Sequence, residues 1–413
     1  MLLTRLKKTL RMSSIRKAAI GDAALNILST AIPLCLLQLV ILPAMADDLS
    51  STEYAVVLTM VSILNLFPGT FGMALNNIRL IYHSKYKELG ISGDFPLLAG
   101  FVALAGGVFT TLFGFAYHVS GVLHFTFLAV TGMLWGIREY FSVDFRIHLN
   151  YRAVLISNIW SGAGHLIGFI LFELTGYWEL VYLVGQVTSM CFVIRNSRIY
   201  REKISTTPMM KKVSAEYFEL VGSNLLSRSL SYADRLLLYP ILGGTAVTIY
   251  YISSLAGKIL STAITPINSV VLSYLSRRKD RPVAEFWRSM GLCSVLCATV
   301  FLIIQFAGKP VLGLLYPNYV DQAVDYLWMA SLGSLIYVLS SVAAPFTLRY
   351  YAMKWQVFFD AISLVLYCLL SFFLSSTWGL MGFCIANVAS NLIKLVALVC
   401  LFHFIEPDSE SRL

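Results

Sequence analysis

Arg228, Arg235, Lys258 and Lys394 fall inside apolar stretches of this 413-residue chain, each long enough to cross a lipid bilayer. A charge at the bilayer centre costs roughly 2.5 to 3.5 kcal/mol on insertion scales, so four of them predict a polar or hydrated interior that uses them. Few acidic residues lie nearby in sequence, and the imbalance predicts a buried site for an anion. Arg offers anionic oxygens a planar fork and Lys a compact point charge, and both bind more strongly where water is scarce. Asp234, beside Arg235, reads chiefly as an internal salt-bridge partner, although a carboxylate among cations also suits proton or sodium exchange. Asp360 lies near the end of its stretch, where solvation at the membrane interface explains it as well as ion coupling does.

Polar residues around these cations repeat with helical spacing, since positions i, i+4, i+7 and i+11 share one face. Asn224, Arg228, Ser231 and Arg235 form one stripe, and Ser254, Lys258, Ser261 and Thr265 a second. Asn387, Asn391 and Lys394 form a third. Two uncharged stripes precede them: Asn26, Thr30 and Pro33, then Ser62, Asn65, Gly69, Gly72 and Asn76. Five helices with one wet face each are expected to line a central cavity whose second-half wall is positive. Such stripes also hold helices together through hydrogen bonds and close packing, so the neutral ones have a structural reading of equal standing. Arg79 and Glu216 sit at the ends of their stretches and need no function.

The elements that carry these faces follow from composition. The chain is 58% hydrophobic and 13% charged, with a mean hydropathy of +0.74, which predicts an all-α polytopic membrane protein. A bilayer core about 30 Å thick needs about 20 apolar residues per helix. Twelve runs qualify, at 24–45, 54–76, 95–117, 120–137, 153–174, 178–194, 217–241, 246–275, 289–306, 324–345, 355–374 and 378–402. The first run is too long for a cleaved signal peptide, despite Ala44-Met-Ala46. With both termini cytoplasmic, 26 of 31 Lys and Arg fall in cytoplasmic segments and only Lys309 falls outside; the other four are the cations above. The basic segment 195–216 divides the chain into two six-helix halves, 1–194 and 217–402, followed by a cytoplasmic tail, 403–413. Gln38-Leu-Val-Ile-Leu-Pro43 with Tyr54 is weakly echoed by Arg235-Leu-Leu-Leu-Tyr-Pro240 with Tyr250, as parallel transporter repeats would be.

Other classes are disfavoured. No G-x-x-x-x-G-K-[ST] loop is present, which argues against ATP hydrolysis by the usual P-loop route. All seven cysteines fall in spans, and Cys293 with Cys297 reads as helix packing rather than a metal site. His165 reads as a satisfied core residue. Basic runs at 195–212 and 277–281 read as anchors to anionic lipid, not as nucleic-acid contacts. No catalytic residue, metal or cofactor is expected beyond proton or sodium coupling.

Several loose patterns together resemble the O-antigen type polysaccharide flippases of the multidrug/oligosaccharidyl-lipid/polysaccharide (MOP) exporter superfamily. They are Leu37-Gln-Leu-Val-Ile-Leu-Pro43 followed by Ser51-Thr-Glu-Tyr54, then Arg138-Glu-Tyr-Phe141, Ala233-Asp-Arg-Leu236 before Tyr250, and Leu315-Tyr-Pro-Asn-Tyr319. The resemblance runs the whole length. It implies a bacterial inner-membrane protein that moves an undecaprenyl-pyrophosphate-linked oligosaccharide to the periplasmic leaflet by alternating access. It also implies that the pyrophosphate meets the cations and that Asn26, Asn65, Asn76, Asn224 and Asn391 face sugar hydroxyls, with a polymerase and other assembly proteins as partners. Gly69, Gly72 and Pro33 are expected either to bend or to pack closely.

The rival readings are distinct. A drug-cation exporter of the same superfamily would place acids in the cavity. Peptidoglycan-precursor flippases usually have two more helices. A membrane polymerase or ligase would carry a long periplasmic loop, whereas the longest expected here runs from Ala307 to Ala323. A scaffold for the assembly machinery would leave the buried cations unexplained.

Overall fold

The computed structural model describes residues 28–91, 93–275 and 280–405, and among these there is no strand. The helices are α1 (Leu28–Asp48), α2 (Ser51–Leu66), α3 (Pro68–Leu89), α4 (Asp94–Ala116), α5 (Val122–Phe141) and α6 (Tyr151–Thr175). They continue as α7 (Glu179–Asn196), α8 (Met210–Leu242), α9 (Gly244–Leu275), α10 (Val283–Leu315), α11 (Val320–Tyr350) and α12 (Met353–Phe404). Among the described residues, eight helical runs, with α2 and α3 counted as one, are long and apolar enough to cross a membrane. The helix α8 is not among them, because charged side chains recur along its length from Lys211 to Arg235. Asn26 and the basic residues 5–17 and 277–279 lie outside the described residues.

Local chemistry sets the helix ends. Ser50 caps α2: its Oγ accepts from the Glu53 amide at 3.3 Å while its own amide donates to Glu53 Oε2 at 3.0 Å, a reciprocal capping box. Pro68, with no amide hydrogen to lose, opens α3 directly after α2. The runs read at 355–374 and 378–402 lie in one helical element, α12, broken at Gly379. There φ is 55° and ψ is −136°, a conformation that favours glycine.

Two compact units emerge. One gathers residues to Ile41, Phe71–Leu112 and Ser120–Tyr217; the other gathers Leu42–Thr70, Phe113–Val119 and Phe218 onward. In the first, a Cβ at Gly72 would run into Gly136, so that glycine serves close packing of α3 on α5. His165 is buried between α6 and α7, its Nδ1 donating to the Val181 carbonyl at 2.9 Å and its Nε2 lying 3.4 Å from Ser161 Oγ.

The connector after α7 folds back on this unit. Asp94 accepts from the Thr207 amide at 2.7 Å and from its hydroxyl at 2.5 Å, and Asp144 accepts from the Arg198 amide at 2.8 Å. Gly93, at φ 125°, is pressed so closely on Ser205 that a Cβ would collide with it. Arg79 is buried and ion-paired with Glu202, and Glu216 accepts from Tyr82 at 2.7 Å. Arg79 and Glu216, expected to need no function, have structural partners: Arg79 ties α3 to the connector, and Glu216 ties α8 to α3. Burial pushes the Glu202 carboxyl above its usual range, while the adjacent guanidinium opposes that shift.

In the second unit, α9, α11 and α12 pack around Tyr250, Tyr367 and Phe383, and a further cluster stacks Phe286 on Phe402 with ring centroids 4.1 Å apart. Cys293 and Cys297 are buried free thiols, 3.9 Å apart on one face of α10, packed against Ile264, Leu335 and Val338.

Candidate functional site: a cation cluster walled by tyrosines

The helix α8 is the spine of the site. It carries Ser227, Arg228, Ser231, Asp234 and Arg235, and each of these meets a residue of another element within the second unit. Arg235 Nη1 donates to Ser62 Oγ at 2.8 Å, and its guanidinium lies 4.8 Å from the centroid of the Tyr251 ring, a cation–π contact. Its Nε is buried without a hydrogen-bond partner. Arg228 Nη1 donates to the Asn65 carbonyl at 3.5 Å. The neutral stripe Ser62–Asn65 and the charged stripe of α8, more than 160 residues apart in sequence, therefore meet.

Both lysines have carboxylate partners, Asp234 in the salt-bridge role that the sequence favours. Lys258 pairs with Asp234, and its Nζ lies 5.3 Å and 5.6 Å from the Tyr250 and Tyr251 centroids. Lys394 Nζ is 2.6 Å from Asp360 Oδ1 and 5.9 Å from the Tyr337 centroid. Asp360 is 2% exposed and also accepts from Ser227 Oγ at 2.8 Å, so interface solvation does not account for it. Ser231 Oγ lies 3.0 Å from Tyr337 Oη, closing a ring that runs Lys394, Asp360, Ser227, α8, Ser231, Tyr337. Asp234 Oδ1 is buried without a partner. The four cations thus face two aspartates, with hydroxyls and aromatic faces filling the remaining positions.

The predicted neutral residues divide. Asn224 and Ser261 are half-buried, one turn before Arg228 and one turn after Lys258. Ser254 is buried and its hydroxyl donates to the Tyr251 carbonyl of its own helix at 3.3 Å. Asn391 donates to Asn387 Oδ1 at 3.1 Å and to the Gly333 carbonyl at 3.4 Å, and Asn387 donates to Tyr367 Oη at 3.2 Å. Asn391 therefore binds α12 to α11, while Asn387 bridges the two parts of α12 on either side of Gly379.

Asn76 is not a cavity residue. It is 3% exposed in the first unit, donates to the Glu139 carbonyl at 2.7 Å and to Ser142 Oγ at 3.1 Å, and accepts from Arg146 at 2.7 Å. A side chain holding three partners has little capacity left for a ligand. Tyr251, Tyr337 and Ser227 were missed. Tyr251 precedes Lys258 by seven residues and so shares its stripe, a signal that reads first as packing.

No protein-family model and no curated protein sequence matches this chain. Solved structures do match in fold. The lipid II flippase MurJ, in an inward closed conformation, gives a TM-score of 0.69 at 14% identity, covering 96% of this chain and 88% of its own. An inward-facing multidrug resistance MATE family transporter of the MOP superfamily gives 0.65 at 12% identity over 91% and 98%. A MOP superfamily transporter from Pyrococcus furiosus, described by the reverse polarity of its binding pocket, gives 0.60 at 11% over 94% and 95%. The chain therefore has the all-helical fold of MATE transporters and the MurJ flippase.

Proposed function

We propose that this protein is a flippase for an anionic lipid-linked oligosaccharide, an undecaprenyl-pyrophosphate repeat unit of the O-antigen kind. It would move that unit from the cytoplasmic to the periplasmic leaflet of a bacterial inner membrane. The observation that carries the reading is the α8 cluster, in which Arg235 keeps a buried Nε without a partner beside two lysines held only by aspartates. Pyrophosphate oxygens are suited to both guanidinium and ammonium groups. In this reading twelve helices in two six-helix halves, with both termini cytoplasmic, rock around the site by alternating access. Polymerase and other assembly proteins act on the delivered lipid.

Asp234 and Asp360 give the cycle a coupling step. When a phosphate oxygen takes over Lys258 or Lys394, the displaced aspartate becomes an unpaired buried carboxylate and accepts a proton from water or a sodium ion. Leaving the site reverses the exchange. A multidrug exporter shares the fold, but its cationic cargo would meet an excess of positive charge here.

The test is export of lipid-linked glycan in cells lacking the chain, with wild type, Arg228→Ala, Arg235→Ala or Lys258→Ala restored at equal membrane abundance. The expected result is glycan trapped on the cytoplasmic leaflet in the deletion and in the variants. Normal surface glycan in all three variants would sink the anion site, and surface-exposed but unpolymerised units in the deletion would point to a polymerase.

A further inference from the structure

Two of the sequence motifs, Ser51-Thr-Glu-Tyr54 and Leu315-Tyr-Pro-Asn-Tyr319, take no part in the cation cluster and meet each other within the second unit. Tyr54 on α2 and Tyr316, which caps the end of α10, are fully buried, with ring centroids 6.5 Å and hydroxyls 3.4 Å apart. Tyr251 on α9 completes the group, edge-on to Tyr54 at 6.4 Å. Ser51, Tyr54, Ser62 and Asn65 share one face of α2, and that face sets an order of layers. The first layer joins Ser51 Oγ to Thr245 Oγ1 at 3.0 Å, and Asn318 Nδ2 donates to Asp47 Oδ1 at 3.2 Å beside it. The three tyrosines come second, Ser62 with Arg235 third, and Asn65 with Arg228 last.

We propose that the Tyr54–Tyr251–Tyr316 layer is a reversible seal at one end of the cation cluster, released when an anion takes Arg235 away from Ser62. The proposal rests on the flippase reading and names the contact that has to part for cargo to leave or enter on that side. The two outer layers are built for parting. Their bonds are neutral or single-acceptor contacts, those of the first layer at exposed positions, and such bonds exchange for water at little net cost. The backbones of α2 and α9 meet there without interlocking side chains: a Cβ on Gly244 would stand only 3.1 Å from Thr52 Cα and 3.2 Å from Ala55 Cβ.

Arg235 is the catch. Its Nη1 holds Ser62 of α2 while its guanidinium lies against the Tyr251 ring of α9, so one side chain ties both flanks of the tyrosine layer from the cluster side. A bond between a guanidinium and an anionic oxygen is stronger than one to a neutral hydroxyl, so a phosphate oxygen displaces Ser62. A ligand shifts a conformational equilibrium only by its difference in affinity for the two states. The parted state, in which Nη1 no longer serves Ser62, is the one that binds the anion better.

The test uses full-length protein in nanodiscs, with spin labels on noncanonical residues at Asp48 and Asp321, exposed positions next to the two motifs, and their separation read by electron paramagnetic resonance. The expected result is a dominant short separation without ligand and a several-fold larger population at long separation with inorganic pyrophosphate. Arg235→Gln should abolish that response. Tyr54→Phe keeps the ring and removes only the hydroxyl; without ligand it should enlarge the long population about two- to fivefold, the range for one neutral hydrogen bond. No response of wild type to pyrophosphate, or an unchanged distribution in Tyr54→Phe, would overturn the proposal. A disulfide between Ser51→Cys and Thr245→Cys should stop flipping of a lipid pyrophosphate until reductant is added. Undiminished flipping by the crosslinked protein would overturn the seal and leave the flippase reading intact, whereas a wild type that parts with pyrophosphate but flips no lipid would overturn that reading and support the seal.

Discussion

Buried charge is handled in two ways in this molecule. In the first unit the cations end on fixed neighbours: half-buried Arg146 on Asn76 Oδ1 and Asn77 Oδ1 at 2.7 Å and 2.9 Å, half-buried Arg138 on Glu139 at 2.5 Å, and buried Arg79 on Glu202. In the second unit four cations share two aspartates, and tyrosine rings and serine hydroxyls occupy the other positions. The first pattern locks helices and connector together. The second leaves positive charge in excess along the middle of α8, which packing alone does not require. Charge that is matched locally belongs to the scaffold, and charge that is not matched marks the candidate site.

The largest effects should come from stranding one member of a buried pair. Asp360→Ala leaves Lys394 without its carboxylate and should cost about 3 to 5 kcal/mol, read as a lowered unfolding midpoint, whereas Asp360→Asn with Lys394→Met should recover most of that loss. If the double variant is no more stable than the single one, the pair is not the source of the effect. Next is Arg235→Gln, which removes charge-assisted bonds worth about 1.5 to 3 kcal/mol and should slow flipping of a lipid pyrophosphate about 10- to 100-fold in proteoliposomes with little change in stability. A loss of stability matching the loss of transport would move Arg235 into the scaffold class.

The first unit should respond in the opposite sense. Asn76→Leu removes three hydrogen bonds from a buried joint and should destabilise by about 1 to 3 kcal/mol, with the transport rate per folded molecule unchanged. A slowed rate at full stability would return Asn76 to the cavity. Smallest of all, Thr207→Ala deletes one of two bonds to Asp94 and should cost about 0.5 to 1.5 kcal/mol. Limited proteolysis between Ser197 and Met209 reads this directly, and equal cleavage of variant and wild type would show that the Asp94 clamp does not hold the connector.

Most of the helices and the location of the charged faces were legible in the sequence, because hydropathy and helical spacing are local properties. Partnerships were not, because they join distant segments. Lys394 and Asp360 are 34 residues apart, and Ser227 is 133 from the same aspartate. Neither separation leaves a periodic trace, so Asp360 read equally as an interface residue or an ion-coupling one. The partner of Arg79 was hidden for a related reason: a cation at a helix end ordinarily reaches water, and only the returning connector brings Glu202 over it. Asn76 kept the right spacing for the stripe but turned into a joint, since spacing specifies a face and not what covers it. The break in α12 was placed within a few residues of Gly379, because a gap in the apolar run is also a local property.

Gly379 also sets a limit on how this chain can vary. No other atom lies within 4 Å of where its Cβ would stand, so by crowding alone the position would tolerate any side chain. Its φ of 55° with ψ of −136° is a backbone setting that other residues reach only at a cost of about 1 to 3 kcal/mol. In a saturation scan of α12 this would be the position where an open surface and strict intolerance coincide. The penalty for alanine there should already approach that for larger residues, because the backbone and not the available volume does the selecting.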